Sequence, residues 1–306
     1  MRLGFWTCLS LVLMMSASQL FAGAFNQGPY EVSMKSLKKG EAGITKPPLV
    51  IVQDMDDTEA PVIYFNHGFQ LSNKYYEEIS AHISSYGYVV VAPQNYSPGG
   101  LPFGKPTKVK EAEDALDILQ WIHDDLEKLV GMDIAQEKLG LLGHSRGGAV
   151  VYKLASDSVL PGALATIDPV DGTIDGSPRI ITGPFPFTIP SFVVGTGLGG
   201  MVKGMGGACA PERDNHEQFY ENSPSPSYHM LVSDYGHMDM LDKGTSCGFV
   251  CNSCVKASSK YPTELLRQQI AGSLVKFFDA SLKGSSKSYG EVLKAHGGMN
   301  IKVDSK

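Results

Sequence analysis

Gly143-His144-Ser145-Arg146-Gly147 sets a serine between two glycines at the spacing required when a strand turns sharply into a helix with the nucleophile at the apex. A β-type run, Lys138-Leu-Gly-Leu-Leu142, leads into it, and Gly148-Ala-Val-Val-Tyr-Lys-Leu154 continues it as a helix, so the context strengthens a pattern that alone occurs by chance. A serine hydroxyl is a poor nucleophile at neutral pH. It needs a base within hydrogen-bond reach, and an acid behind the base to fix its tautomer and stabilise the imidazolium. The chemistry such a set performs is acyl transfer through a covalent acyl-enzyme.

On this kind of turn the acid and then the histidine follow the serine in chain order. His237 lies just after the strand-like Tyr228-His-Met-Leu-Val232, in Asp234-Tyr-Gly-His237, and is the expected base. His144 adjoins the serine on a tight turn and should point elsewhere. His216, in a polar loop, and His229, within a strand pattern, rank lower. Asp168 closes the strand-like Leu164-Ala-Thr-Ile167 and is the expected acid, ahead of Asp171 and Asp175, which also read as solvated turn residues. The oxyanion needs two backbone N–H donors, expected from Arg146, after the nucleophile, and from Phe69 in His67-Gly68-Phe69, where glycine allows close approach.

The elements that must position these residues alternate along the chain. Strand-like runs at Pro61 to Phe65, Tyr88 to Ala92, Lys138 to Leu142, Leu164 to Ile167, Phe192 to Gly195 and Tyr228 to Val232 are interleaved with helical spacing. The helical stretches run over Tyr75 to Tyr86, Glu111 to Leu129, and Glu264 to Leu282. In Glu111 to Leu129 the stripe Ala115, Leu116, Leu119, Ile122, Leu126 and Leu129 should pack on a sheet. This is an α/β pattern, and with the serine turn it predicts an α/β-hydrolase fold: a mostly parallel central sheet with helices on both faces. No linker or repeat divides it, so residues 25–290 are expected to form a single domain, with 291–306 a loose polar tail.

Composition narrows the partners. The 306 residues include 42% hydrophobic and 19% charged residues, enough for a sizeable core. A formal net charge of -6 without a Lys/Arg-rich run argues against nucleic acid and fits an uncharged or apolar ligand, which the serine turn would make a small apolar ester substrate. Arg2, an apolar stretch around Phe5 to Met15, and Ala22-Gly-Ala24 form the layout of a signal peptide over residues 1–24, hence secretion or an endomembrane lumen, with onward sorting to a plastid also compatible. The apolar run is too short to span a bilayer, and no later segment is apolar enough, so no transmembrane segment is expected in the mature chain.

Of the five cysteines, Cys8 leaves with the leader, and Cys209, Cys247, Cys251 and Cys254 suit two disulfides of undetermined pairing. The C-x3-C-x2-C spacing is the zinc alternative, ranked below disulfides for a secreted chain; no metal is assigned. Asn95-Tyr96-Ser97 is a glycosylation sequon if its loop is exposed.

Ordered blocks now accumulate: Phe65-Asn-His-Gly68, Val91-Ala-Pro-Gln94, Gly143-His-Ser-Arg-Gly-Gly148, Ile167-Asp-Pro-Val-Asp-Gly172, Val194-Gly-Thr-Gly-Leu-Gly199, Cys209-Ala-Pro211 with Asn215-His-Glu217, and Asp234-Tyr-Gly-His-Met-Asp239. Together, over residues 45 to 282, they resemble the chlorophyllases. The resemblance implies a serine hydrolase that cleaves the phytyl ester of chlorophyll to chlorophyllide and phytol without an organic cofactor, with Ser145, Asp168 and His237 on the triad positions. The departures are Ala149, where plant members often show a more basic residue, a shorter interval between Ser145 and Asp168, and the secretory-type leader. A long branched alcohol needs an apolar channel, for which Phe185, Phe187, Phe192, Met201, Met205 and Met238 are the candidate lining residues, each equally readable as core or surface. The competing readings are a secreted esterase acting on lipids, polyesters or other esters, and a catalytically silent hydrolase homologue that binds a chlorin or lipid.

Overall fold

The computed structural model describes residues 24–54, 59–100, 103–172, 176–204, 207–285 and 299–306. The expected leader, except Ala24, lies outside the described residues, as do Met205 and Asp175. The described strands are β1 (Val32–Ser36), β2 (Pro48–Gln53), β3 (Ala60–Asn66), β4 (Val89–Pro93), β5 (Ile134–His144), β6 (Ala163–Ile167), β7 (Ser191–Thr196), β8 (Ser227–Val232) and β9 (Ile301–Ser305). They form one sheet in the order β1-β2-β4-β3-β5-β6-β7-β8-β9. The central run from β4 to β8 is parallel, and the antiparallel pairs lie at the edges: β1 with β2, β2 with β4, and β8 with β9. This is the α/β-hydrolase arrangement.

Parallel strands covered on both faces read as continuous apolar runs, because successive side chains bury on opposite sides. In β3, Val62 and Tyr64 pack into one core cluster while Ile63 and Phe65 pack into the other. Helices α1 (Glu77–Ser84) and α6 (Thr263–Leu282) cover one face. Helices α2 (Lys108–Val130), α3 (Arg146–Asp157) and α4 (His216–Asn222) cover the other. The remaining helix, α5 (Gly248–Ser253), lies in the loop that follows His237. Helix α2 starts where the Thr107 hydroxyl accepts the Lys110 N–H, and stops at Gly131, whose φ of 74° ends the helix with an N–H to the Glu127 carbonyl. Its buried stripe is Ala112, Ala115, Ile118, Leu119, Trp121, Ile122 and Leu126; Leu116, expected inside, is exposed.

Residues 291–306, expected to be loose, contain the ninth strand. Ile301 to Ser305 pairs with β8 in antiparallel register, and Ile301 and Val303 pack against the core, so Tyr228 to Val232 is not the last strand. Two apolar residues in five, Ile301 and Val303 alternating with Lys302 and Asp304, made too short an alternation to stand out. The cysteines pair as Cys209–Cys254 and Cys247–Cys251, which leaves no thiolate set for zinc. Asn95 of the sequon is buried, its amide donating to Asn66 Oδ1, so the folded chain does not present it for glycosylation. Among the described residues, no helix is long and apolar enough to cross a membrane.

Candidate active site

Strand β5 ends at His144 and helix α3 begins at Arg146, leaving Ser145 as the single residue of the turn, with φ 55° and ψ −126°. A positive φ at a residue with a Cβ is strained, and it persists only because the surroundings over-determine it. A side chain at Gly143 would run into the Gly147 carbonyl, and one at Gly147 into the carbonyls of Asn66 and His67. The two glycines thus permit the close approach that the turn needs. The serine is held from below as its N–H donates to the Ile167 carbonyl at 3.0 Å.

The C-terminal ends of β6 and β8 bring two more side chains to the same point. Ser145 Oγ lies 2.8 Å from His237 Nε2, and His237 Nδ1 lies 2.6 Å from Asp168 Oδ2. Asp168, with no solvent exposure, also accepts the Thr196 N–H at 3.0 Å and the Thr196 hydroxyl at 2.7 Å. Burial drives its carboxyl up, but the hydrogen bond and charge of His237, with the Thr196 hydroxyl, outweigh that and hold it at about 2. The carboxylate is therefore ionised at neutral pH and acts as an acceptor only.

Asp171 does something else. It forms a fully buried ion pair with Lys108 of α2 at 2.8 Å and accepts the N–H groups of Ile180 and Ile181, so it ties α2 to the following loop. His216 and His229 pair with each other at 2.9 Å. His144 points away from Ser145: its Nε2 donates to the His237 carbonyl and its Nδ1 accepts from the Tyr76 hydroxyl.

Gly68 packs against the serine; a Cβ there would meet Ser145 Cβ at 3.3 Å. The Gly68 carbonyl accepts His67 Nδ1–H at 2.8 Å and Leu71 N–H at 3.1 Å, which fixes the peptide plane that also carries the Phe69 N–H. Arg146 is the first residue of α3, where the helix itself supplies no acceptor for an N–H. Its buried guanidinium donates to Glu111 of α2 at 2.7 Å and sits over the Phe69 ring at 5.1 Å, joining the two loops.

The expected lining residues separate. Phe185 and Phe187 are buried in an aromatic cluster with Tyr152 of α3 and Phe219 of α4, and Phe192 of β7 has no exposure and packs on Phe277 of α6. These three are core residues on the faces of the sheet, away from its C-terminal edge. Met238, beside His237, is half-buried, and Met201 is exposed in the loop after β7. Thr196, Tyr76, Glu111 and Lys108 were not anticipated. Glu111 and Lys108 continue the Ala115 stripe backwards by one and two turns, and a charge on an apolar stripe was the available signal.

The buried imidazoles make stability sensitive to acid. Burial holds His67 at about 4, His144 at about 3 and His229 at about 4, and lowers His82. In the unfolded chain these rings titrate near the ordinary value of about 6.5, so on acidification the unfolded state binds protons that the folded state refuses. Each net proton costs about 1.4 kcal/mol of stability per pH unit. Asp242, raised by burial to about 6, and Asp239, raised for the same reason, take up protons on folding and oppose this slope. Four imidazoles against two carboxyls leave a net loss. The thermal midpoint should fall steadily from neutral pH to about pH 4.5; a midpoint that rises over that range would contradict neutral buried histidines.

Comparison with known proteins adds a second line. The family model "Chlorophyllase" matches residues 20–306. The chain is 32% identical over 292 residues to "Chlorophyllase-1, chloroplastic" of Citrus unshiu, covering 92% of this chain and 87% of the relative. It is 30% identical over 311 residues to "Chlorophyllase-2" of Arabidopsis thaliana, covering 92% and 94%, and 34% identical over 264 residues to "Chlorophyllase-1" of the same plant, covering 80% and 79%. The chain belongs to the chlorophyllase family.

Proposed function

We propose that this chain is a serine carboxylic-ester hydrolase that cleaves the phytyl ester of chlorophyll, releasing chlorophyllide and phytol. The observation that carries this reading is the unbroken hydrogen-bond chain from Ser145 Oγ through the His237 ring to the Asp168 carboxylate, on a strained strand-to-helix turn. Family membership supports the substrate class, since the relatives are themselves called chlorophyllases.

In this mechanism Ser145 Oγ attacks the ester carbonyl while His237 Nε2 takes its proton. Asp168 keeps the proton on Nδ1 and stabilises the imidazolium; its own carboxylate stays ionised. The carbonyl oxygen, now an anion, is met by the backbone N–H groups of Phe69 and Arg146, the largest expected source of transition-state stabilisation. His237 then gives its proton to the departing phytyl oxygen, leaving the chlorophyllide propionyl group on Ser145. Water, deprotonated by the same nitrogen, hydrolyses that ester and restores the serine. Neither half-reaction calls on a metal or an organic cofactor. Met238 and Met201 remain the proposed apolar contacts for the alkyl chain.

For location, the leader pattern over residues 1–24 supports entry into an endomembrane lumen, and the word "chloroplastic" in the names of relatives supports onward sorting to a plastid.

The test is chromatography of the products after incubating the purified mature chain with chlorophyll a and, separately, with a short-chain nitrophenyl ester. Serine-dependent chlorophyllide is the expected result. Nitrophenol release with no chlorophyllide would overturn the substrate and keep the esterase chemistry, the outcome expected of a general secreted esterase.

A further inference from the structure

Two backbone groups of the site are joined by side chains that the proposed chemistry does not use. The Gly68 N–H donates to the Tyr76 hydroxyl at 3.1 Å, the Tyr76 hydroxyl lies 2.7 Å from His144 Nδ1, and His144 Nε2 lies 3.0 Å from the His237 carbonyl oxygen. All of these residues are buried. The polarity of this path has one solution. A backbone N–H only donates and a carbonyl only accepts, so Tyr76 must accept from Gly68 and donate to His144, and His144 must carry its proton on Nε2.

The two ends matter. At one end Gly68 precedes the proposed oxyanion donor, and with its carbonyl already held by His67 and Leu71, the bond from Tyr76 fixes the peptide on its other side as well. At the other end the bond reaches the main chain of His237, whose ring must meet both Ser145 and Asp168. The His144 ring also packs beside the His237 ring, with centroids 4.9 Å apart. Burial, and then the neighbouring His237, keep His144 neutral by holding it at about 3, so the path persists when His237 becomes charged.

We propose that Tyr76 and His144 are positioning residues that couple the loop bearing the oxyanion donor to the loop bearing the base. The proposal rests on the Ser145-His237-Asp168 reading. Small errors in catalytic geometry cost rate more than binding, so loss of the coupling should appear in kcat.

Tyr76→Phe keeps the ring that packs on Phe65 and removes only the hydroxyl. It should lower kcat on a short nitrophenyl ester by about tenfold with KM changed by less than about twofold. His144→Ala should cost a similar factor, and His144→Gln, whose amide can still donate toward the His237 carbonyl, should recover part of it. Because one path is being cut at two places, the double variant should be no slower than the slower single variant. A wild-type kcat in Tyr76→Phe, or losses that multiply in the double variant, would overturn the coupling.

Nitrogen NMR of the unmodified enzyme gives a second readout that needs no turnover. It should find His144 as the neutral Nε2–H tautomer near neutral pH, and an Nδ1–H tautomer would also overturn the proposal. Labelling by a fluorophosphonate separates the two levels. An unlabelled Ser145 would sink the triad reading, whereas normal labelling with the wrong His144 tautomer would sink only the coupling.

Discussion

Ser145→Ala should lower ester turnover by about 10⁶, to a residual rate that owes only to substrate binding and the oxyanion donors. The size follows from the geometry. His237 Nε2 is 2.8 Å from Ser145 Oγ and, among the described residues, no second hydroxyl lies at hydrogen-bond distance from either ring nitrogen, so removing one oxygen removes both the proposed nucleophile and the group on which the base would act. Folding should hardly notice. Alanine keeps the Cβ that the turn already accommodates at φ 55°, and the lost hydrogen bond is worth about 1 kcal/mol. Nitrophenol release measured beside thermal unfolding checks both halves, and mass mapping of a fluorophosphonate adduct checks the serine itself. Retention of even a hundredth of the wild-type rate in a folded Ser145→Ala protein would remove Ser145 from the mechanism.

Much of this site was legible because its requirements are local. A nucleophile on a sharp turn needs glycines at Gly143 and Gly147, for which the structure gives a direct steric reason in the neighbouring carbonyls. Strand ends were also legible: Asp168 and His237 follow apolar runs, and the ends of β6 and β8 bring them to the end of β5. The pairings that depend on folding left no comparable trace. Nothing near Asn73-Lys-Tyr-Tyr76 marks Tyr76 as a partner of His144, since its contact crosses 68 residues of chain. The three phenylalanines proposed as lining went to the core for a different reason. Phenylalanine is as well suited to a core as to a channel, and only the faces of β7, α3 and α4 decide that Phe185, Phe187 and Phe192 are core.

The fold shows the same division. The central parallel strands are buried on both faces, so their apolar runs stand out, and the long helices carry stripes at helical spacing. The edges are harder. Val32–Ser36 of β1 is mostly exposed, and β9 offers two apolar residues in an otherwise polar run. Both strands exist because a partner strand is waiting: β1 pairs residue by residue with β2, and β9 with β8. Pairing of this kind is set by tertiary structure and has no period long enough to read in advance.

Two neighbouring aspartates should respond to the same substitution in opposite ways. In Asp168→Asn the Thr196 N–H requires an acceptor at the Oδ1 position, which forces the new amide nitrogen to the Oδ2 position, against His237 Nδ1. That nitrogen donates, so the proton of His237 moves to Nε2, where it faces Ser145 Oγ and can no longer receive the serine proton. Turnover should fall by about 10⁴ with the fold retained, the cost of holding the base in the wrong tautomer. Asp171→Asn leaves the triad untouched and instead removes the carboxylate charge that faces the fully buried Lys108 ammonium at 2.8 Å. Breaking a buried pair on one side costs about 3–5 kcal/mol, so this variant should melt early. Per active site titrated with fluorophosphonate, however, it should turn over within about threefold of wild type. Thermal unfolding and titrated kcat on the two variants separate the roles: equal losses per titrated site would mean that Asp168 does not orient His237, and an unchanged melting temperature in Asp171→Asn would mean that the Lys108 pair does not brace α2.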